Sequence, residues 1–579
     1  MRRLLRMLLP GLILLCACAA MAGDIGMTYV KSIGQISPDN PMLTGGGRLS
    51  VDEKGCLYAG TPGFNSYLQK FTPNGRLVWR ADDTHCAYLG TTVDDKYVYG
   101  CGIGYYGYGH LLRRKKDSGA VPPGWNYVWT KPTDVVNGVR GFAYPGALLV
   151  DNIYLYILDV GNGELRRLDK ESGTEKPFAT PIKLDGANDM TFSPTGSLLV
   201  LTASTVSEFD RATGKVLRPQ MITGLHGACA IAVNRKNNTI CIGEGGTPEN
   251  AINKVRIFSS AGADTGATIG RGGEWQGKWS ADSFNFAGGA DIAFDGNGGF
   301  WTNGFGSRMG FLGLLVHFSP TFQPDKTFLA ACGDGIAVDS ELHVTMGGNY
   351  QFSWDGTLRW TSGLVSTGKP NQFPTTISYW IMRPVYADPK RVIIMNIHGN
   401  SLFMLDGETG ANAGKGYGLP PGPIRGSCVA GQQIFVAVAD TIYHTTADLP
   451  PLDRFMNVPD PVKAKGGLTG MAMSDDLKQI YISAGSGADA RVYAFDRNGG
   501  VPLWEAKAGA ICARYRDMLL TTNPNGAGIL ALSAEDGGLS TIFNIGSVNG
   551  VAIAGKDGID YLCVAVQNQI RIYRIAAAE

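Results

Sequence analysis

A strand–turn–strand unit recurs at about 42-residue intervals along the 579-residue chain, and this period restricts the fold more than any other feature. Clear copies are "LSVDEKGCLYAG" (49–60), "TTVDDKYVYGCG" (91–102), "MTFSPTGSLLVLTAS" (190–204) and "IAVNRKNNTICIGEGG" (231–246). The pattern continues in "GIAVDSELHVTMGG" (335–348), "MAMSDDLKQIYISAGSG" (471–487) and "VAIAGKDGIDYLCVAV" (551–566), with weaker copies at 147–158, 384–397, 427–439 and 511–522. The last apolar residue before each turn makes a ruler: Val51, Val93, Val150, Phe192, Val233, Phe294, Val338, Tyr386, Val429, Met473, Tyr515 and Ile553. Its spacings are 42, 57, 42, 41, 61, 44, 48, 43, 44, 42 and 38, which makes twelve units with two stretched by insertions.

A second hairpin follows the first in many units, as in "YLQKFTPNGRLVWRA", "VSEFDRATGKVLRP", "QFSWDGTLRW", "SLFMLDGETGANAG" and "RVYAFDRNGGVPLWEA". Asn-Gly and Thr-Gly pairs supply the positive φ that tight turns need. Four strands per unit is the arithmetic of a β-propeller blade. The expected fold is therefore all-β, a tandem of β-propellers with about twelve four-stranded blades. Twelve blades exceed the usual four to eight, so two six-bladed rings are preferred, covering residues 23–330 and 331–579. Seven plus five blades, parting at "STGKPNQFPTT" (366–376), is the alternative. The last unit ends one strand short at "NQIRIYRI", and "MTYVKSIG" (27–34) offers a lone strand near the other end. Pairing the two would complete the last blade and remove an open edge.

The segment "MRRLLRMLLPGLILLCACAAMAGD" has a basic start, an apolar stretch and small residues at Ala20 and Ala22. It reads as a secretory leader over residues 1–22, cleaved after Ala22, and places the protein in the periplasm or outside the cell. Leu15-Cys16-Ala17-Cys18 approximates a lipobox with Cys18 as the anchored residue, but Cys16 fits that pattern poorly. No later apolar run reaches transmembrane length. A net charge of +1 gives no footprint for nucleic acid, and "HLLRRKK" (110–116) reads as a solvated strand end. Nine cysteines follow the leader without CxxC, CxxCH or a vicinal pair, which argues against a zinc ribbon, a c-type haem or a disulfide ladder. One or two disulfides stay open on sequence alone.

The "GIAVDS…LHVTMGG" unit resembles the NHL-repeat family, whose six-bladed propellers carry similar turns. The hairpins "FDRATGKVL" and "YAFDRNGGVPLW" are similar to repeats of pyrroloquinoline-quinone-type propellers, although the vicinal cysteines of those dehydrogenases are missing. No quinone, haem or nucleotide is expected. The gluconolactonase-like hydrolases are also six-bladed relatives. That resemblance implies a divalent cation such as calcium on a propeller axis, held by Asn and Asp placed just before an inner strand. Asp334, Asn549, Asn188 and Asp189 occupy such places here, although no further carboxylate-rich ligand is identified. Hard cations want several oxygen ligands, and Asp and Asn also favour turns for backbone reasons.

His226, in the loop entering the inner strand of "GLHGACAIAV", is the candidate catalytic residue, whereas His317 and His343 read as packing residues. No GxSxG elbow or P-loop stands out, and "GIGYYGYG" lacks a βαβ context. Its Tyr105, Tyr106 and Tyr108 open the first insertion, which runs on through Trp125 and Trp129, and Trp275 and Trp279 lie in the second. Loop aromatics suit a glycan face or a protein partner. The first reading is thus a secreted propeller binding a protein or glycan ligand through these aromatics. The alternative is a metal-dependent lyase or hydrolase acting on carbohydrates or lactones. "GGADIAFDGNGGFWTNGFG" (288–306) looks like a calcium loop, but Gly306 stands where a loop starting at Asp295 needs its twelfth, acidic ligand. It reads instead as the corner of the sixth unit, with Asp291 as a residue facing the funnel.

Overall fold

A computed structural model describes residues 25–577 except 34–46, 61–64, 85, 105–107, 131, 137, 248–249, 274–279, 283, 285, 287–289, 304–312, 331–334, 348–349, 362–381, 398–399, 450 and 567–568. The protein is all-β. Twelve four-stranded antiparallel sheets follow one another along the chain, in line with repeated blades. A short extra hairpin, Val135–Val136 with Val139–Arg140, sits in the first insertion. Eleven sheets use four consecutive strands. In the twelfth, Ile25–Ile33 runs antiparallel to Gln569–Ala577, pairing Ile25 with Ala577 and Ile33 with Ile570. The strand near the start of the chain therefore completes the last sheet, as its sequence suggested.

In each sheet one edge strand, the inner one, packs against its counterparts in the neighbouring sheets; it is the first of the four in chain order except in the twelfth, where it is Gly550–Lys556. The inner strands of sheets one to six are Leu49–Val51, Cys86–Val93, Pro145–Val150, Ala187–Phe192, Ala228–Asn234 and Ile292–Phe294. They touch in that order, and Ile292–Phe294 returns to Leu49–Val51. In sheets seven to twelve they are Ile336–Val338, Met382–Asp388, Ile424–Ala430, Leu468–Met473, Ile511–Tyr515 and Gly550–Lys556. These also touch in order, and the last returns to Ile336–Val338. One apolar cluster joins sheets five and six to sheets seven and twelve, from Phe284 and Phe318 to Met346, Phe352 and Ile572.

Burial follows position in the sheet. Second strands such as Leu57–Gly60 and Tyr154–Asp159 are covered on both faces by neighbouring sheets, so they lack polar alternation. Outermost strands such as Val216–Ile222 and Asn412–Gly418 are mostly exposed. The turn after the inner strand is closed by its own side chain. Asp52 Oδ1 accepts the N–H groups of Lys54 and Cys56, both at 2.9 Å, and its Oδ2 accepts the Tyr58 hydroxyl at 2.9 Å. Asp94 with Tyr99 and Asp151 with Tyr156 repeat this device. In the "DGNGG" corner, Asp295 Oδ1 accepts from Asn297 and Gly299 at 2.8 and 2.9 Å, and Ile292 pairs with Thr302.

Adjacent sheets are joined by two recurring contacts. An outer tryptophan gives its indole N–H to a carbonyl just past the third strand of the next sheet: Trp79 to Lys116, Trp125 to Lys170, Trp360 to Gly407 and Trp504 to Ala534, at 3.0–3.2 Å. The turn glycine beside that carbonyl lies against the indole. At Gly173, with φ of +72°, an added Cβ would stand 2.2 Å from Trp125 Cγ. This explains the Gly in "DKESG", "DGETG" and "SAEDG". The second contact pairs a basic residue with the turn carboxylate of the preceding sheet: Lys116 with Asp52 at 3.5 Å, Lys170 with Asp94 at 2.9 Å and Arg211 with Asp151 at 3.6 Å.

Candidate functional site

Among the described residues, a charged cluster shared by the first six sheets centres on Arg48. Four inner strands of this group carry a β-bulge at the same level, and the extra residues are Leu89, Gly146, Asn188 and Cys229. A bulge turns a carbonyl out of the ladder. Here all four carbonyls meet Arg48. Its backbone N–H donates to Leu89 O at 3.1 Å, and its guanidinium donates to Gly146 O at 3.2 Å, Cys229 O at 3.3 Å and Asn188 O.

Two carboxylates complete the cluster. Arg48 Nη1 lies 2.8 Å from Asp189 Oδ2 and 3.5 Å from Asp291 Oδ1. Asp189 also accepts the N–H groups of Met190 and Ile231, each at 2.8 Å. Asp291 accepts those of Leu49 at 2.6 Å and Ile292 at 2.8 Å, so it ties the sixth sheet to the first. The carbonyl of Arg48 receives the Thr91 hydroxyl at 2.8 Å. Asn303 adds a further link by donating to Gly47 O at 2.8 Å.

Arg48, Asp189 and Asp291 are 8%, 3% and 5% exposed. Burial pushes both carboxyl groups above the usual carboxylate range, because it penalises charge more than the guanidinium repays. Two carboxylates facing one guanidinium leave an excess negative charge, so the cluster holds a proton more tightly than exposed aspartates do. A guanidinium has five N–H donors. Those of Arg48 are directed at protein carbonyls and carboxylates, so the cluster ties strands together and offers no open coordination to a ligand.

The three residues occupy one register, three places before the turn anchor of their sheets. Sheets two, three and five have Gly90, Ala147 and Ala230 at this level, which leaves space for the guanidinium. The same register in sheets seven to twelve reads Gly335, Arg383, Gly426, Gly470, Cys512 and Gly550, with no carboxylate.

The other candidate residues are dispersed. Asn188 gives its side-chain amide to Ala228 O at 2.8 Å. Asn549 is exposed and its carbonyl accepts from Gly335 at 3.3 Å; Asp334 lies outside the described residues. His226 is exposed, and its backbone N–H donates to buried Glu244 at 2.8 Å. Glu244 is paired with Arg256 at 3.2 Å, a contact the sequence did not suggest. Among the described residues no group of three or more His, Cys, Asp or Glu side chains could hold a metal.

Tyr105, Tyr106, Trp275 and Trp279 lie outside the described residues, and Tyr108 is half-buried. Trp125 lies in the segment before the strand Tyr127–Thr130 but does not face solvent. It is 6% exposed and stacks against Tyr99 and Tyr127 at 6.2 and 5.6 Å, because its indole serves the sheet-to-sheet contact described above. His317 is buried, with Nδ1 2.6 Å from Asp325 and Nε2 3.2 Å from Asp295. Cys56, Cys101, Cys229, Cys241, Cys428, Cys512 and Cys563 are free thiols.

No family model matches the chain, and no curated protein does. Among solved structures it is similar to the extracellular domain of a B. thetaiotaomicron protein described as a hybrid two-component system. Identity is 10%, coverage is 96% of this chain and 83% of that one, and the TM-score is 0.29. A second structure of that domain, described as belonging to a one-component system, gives 9% identity, 95% and 82% coverage and a TM-score of 0.29. At this level the likeness carries no functional argument. Among the described residues no helix is long and apolar enough to cross a membrane.

Proposed function

We propose that the chain is an exported protein of two six-bladed β-propellers, residues 23–330 and 331–579, that binds a protein or glycan partner without transforming it. The cyclic order of contacts among the inner strands supports two rings of six. The leader-like residues 1–22 support export, and the NHL-like repeat is in keeping with six blades.

The observation that carries the binding reading is the Arg48 cluster. Propeller enzymes of the resembled kind need an open axial funnel in which a cation polarises substrate. In the first six sheets that place holds a guanidinium whose donors are spent on the inner strands of four neighbouring sheets. Recognition then falls to the rim and to inserted loops, where propellers commonly carry function. Tyr105, Tyr106, Tyr108, Trp275 and Trp279 are the proposed contact residues. The test is a glycan array, run beside affinity capture of protein partners, comparing the full chain with a Trp275→Ala/Trp279→Ala variant. Loss of one bound class in the variant supports the reading; an unchanged binding profile contradicts the role of these residues.

A further inference from the structure

The outermost strand of the eighth sheet, Asn412–Gly418, reads "NAGKGYG". Glycine inside a strand packs nothing and costs conformational entropy, so it commonly marks a close approach by a ligand or another backbone. Two of these glycines fall in informative register. Gly418 pairs with Ser401 and Gly416 with Phe403 on the third strand, Ser401–Asp406. Residues directly opposite in an antiparallel pair share a face. Each pair therefore sets a side chain against bare backbone: the Phe403 ring covers Gly416, where an added Cβ would stand 3.2 Å from its Cδ1, and the face is left clear beside Ser401 at Gly418. A cleft of about 270 Å³ lies there, lined by Ser401, Phe403, Asn412, Lys415, Tyr417 and the three glycines. A Cβ added at Gly418 would meet no atom within 4 Å.

We infer that this cleft is a saccharide-binding site taking one sugar unit of a glycan, separate from the loop aromatics. Its chemistry fits that class. The Ser401 hydroxyl and the Asn412 amide nitrogen offer neutral polar contacts, and neither makes a hydrogen bond to another described residue; Tyr417 pairs with Leu402 and belongs to the opposite face. Asn412 is held by its own side-chain oxygen, which accepts the Gly414 N–H at 3.0 Å. Phe403 and the glycine CH groups form an apolar floor, suited to the C–H face of a pyranose. Lys415, the single charged residue of the lining, alternates to the opposite face, so the cleared face presents no charge for a nucleotide or polyphosphate and suits a neutral sugar. The volume is below the ordinary range for drug-sized ligands, roughly 300–1,000 Å³, which argues for one ring.

An extended peptide is the competing occupant of an outer strand, because it can pair with an exposed edge. Edge pairing uses in-plane N–H and C=O groups and has no need of a cleared face. The open space beside Ser401 at Gly418 lies on the face of the sheet, and this favours the saccharide.

The deciding variant is Gly418→Val. Its φ is not left-handed and its side chain enters open space, so the strand should tolerate it, while the branched side chain fills the cleft. The full chain is screened on an array of hexose, N-acetylhexosamine and hexuronate oligosaccharides, and the strongest hit is titrated by calorimetry. Expected results are at least tenfold weaker binding for Gly418→Val at unchanged thermal stability, and unchanged binding of that saccharide for Trp275→Ala/Trp279→Ala. Should Gly418→Val fold poorly, Ser401→Ala/Asn412→Ala is expected to show the same tenfold loss. Three results would overturn the proposal: no saccharide bound by the wild type, equal affinity in the cleft variants, or binding of an extended peptide that survives Gly418→Val. Because the tryptophan pair is tested on the same array, failure at the cleft is distinguishable from failure at the loops.

Discussion

Replacing Arg48 with methionine should unfasten the first six sheets from within. The substitution keeps an unbranched chain of similar length but removes the donors that hold Gly146 O, Asn188 O and Cys229 O. It also leaves Asp189 and Asp291 buried without a cation. Breaking a buried ion pair from one side costs about 3–5 kcal/mol, chiefly because the remaining charge is uncompensated. For a unit of this size, about 2–4 °C of thermal midpoint is lost per kcal/mol, which predicts a fall of roughly 6–20 °C in the first unfolding transition. Circular dichroism or calorimetry of the full chain measures it.

Two further arms test the cause. Arg48→Met/Asp189→Asn/Asp291→Asn removes both stranded charges and should recover most of the loss. The single variant should also lose less at about pH 5 than at about pH 8. Both carboxyls titrate above their ordinary value of 3.8 in the folded protein, so the folded state takes up protons more readily than the unfolded one. Stability contributed there rises as pH falls through the raised values, until the unfolded chain also protonates near 3.8. An unchanged midpoint in Arg48→Met, or a triple variant no better than the single, would refute the charge argument.

Three other outcomes follow from the sheet contacts and the axial cluster. Gly173→Ala forces a Cβ against Trp125 at a positive φ, and should lower stability by about 1–3 kcal/mol in denaturant titration. Asp94 behaves oppositely to the axial pair: burial works against its charge, but the Tyr97 N–H and Lys170 outweigh it and hold its carboxyl below 3.8. Its contribution is complete above that value and is lost as pH falls through the folded one. Lys170→Met should therefore move acid unfolding to higher pH, read by fluorescence. Because Asp189 is paired with Arg48, EDTA should leave the first transition in place, and a drop of several degrees on chelation would restore the metal reading.

The twelve-unit ruler carried most of the architecture, because a turn every 42 residues or so is written in local chemistry: an Asp or Ser that bonds its own backbone, then a glycine. The pairing of Ile25–Ile33 with Gln569–Ala577 was legible from a count of strands in the last unit. The axial cluster was only half legible. Asp189 and Asp291 stood out at their place before the inner strand, and Asp189 looked like a cation ligand. Its partner comes from a residue 141 positions earlier (189 − 48), and nothing local announces it. The signal was present nevertheless, since Arg48 stands three places before Val51, as Asp189 does before Phe192 and Asp291 before Phe294. Reading that register across six units together would have exposed one cation among two acids and three small residues. Trp125 was misplaced because an aromatic in an inserted stretch looks the same whether it faces solvent or locks onto the next sheet. The glycine run at 414–418 carries no local signal, and only its register against Ser401 and Phe403 gives it meaning.

The most direct measurement of the central claim is a crystal structure of the full chain grown with millimolar calcium. The account predicts two closed rings of six sheets, with Ile25–Ile33 completing the twelfth sheet and the Arg48 guanidinium between Asp189 and Asp291 on the first axis. A cation bound by Asp189 with Arg48 turned away, or one open array of twelve sheets, would contradict it.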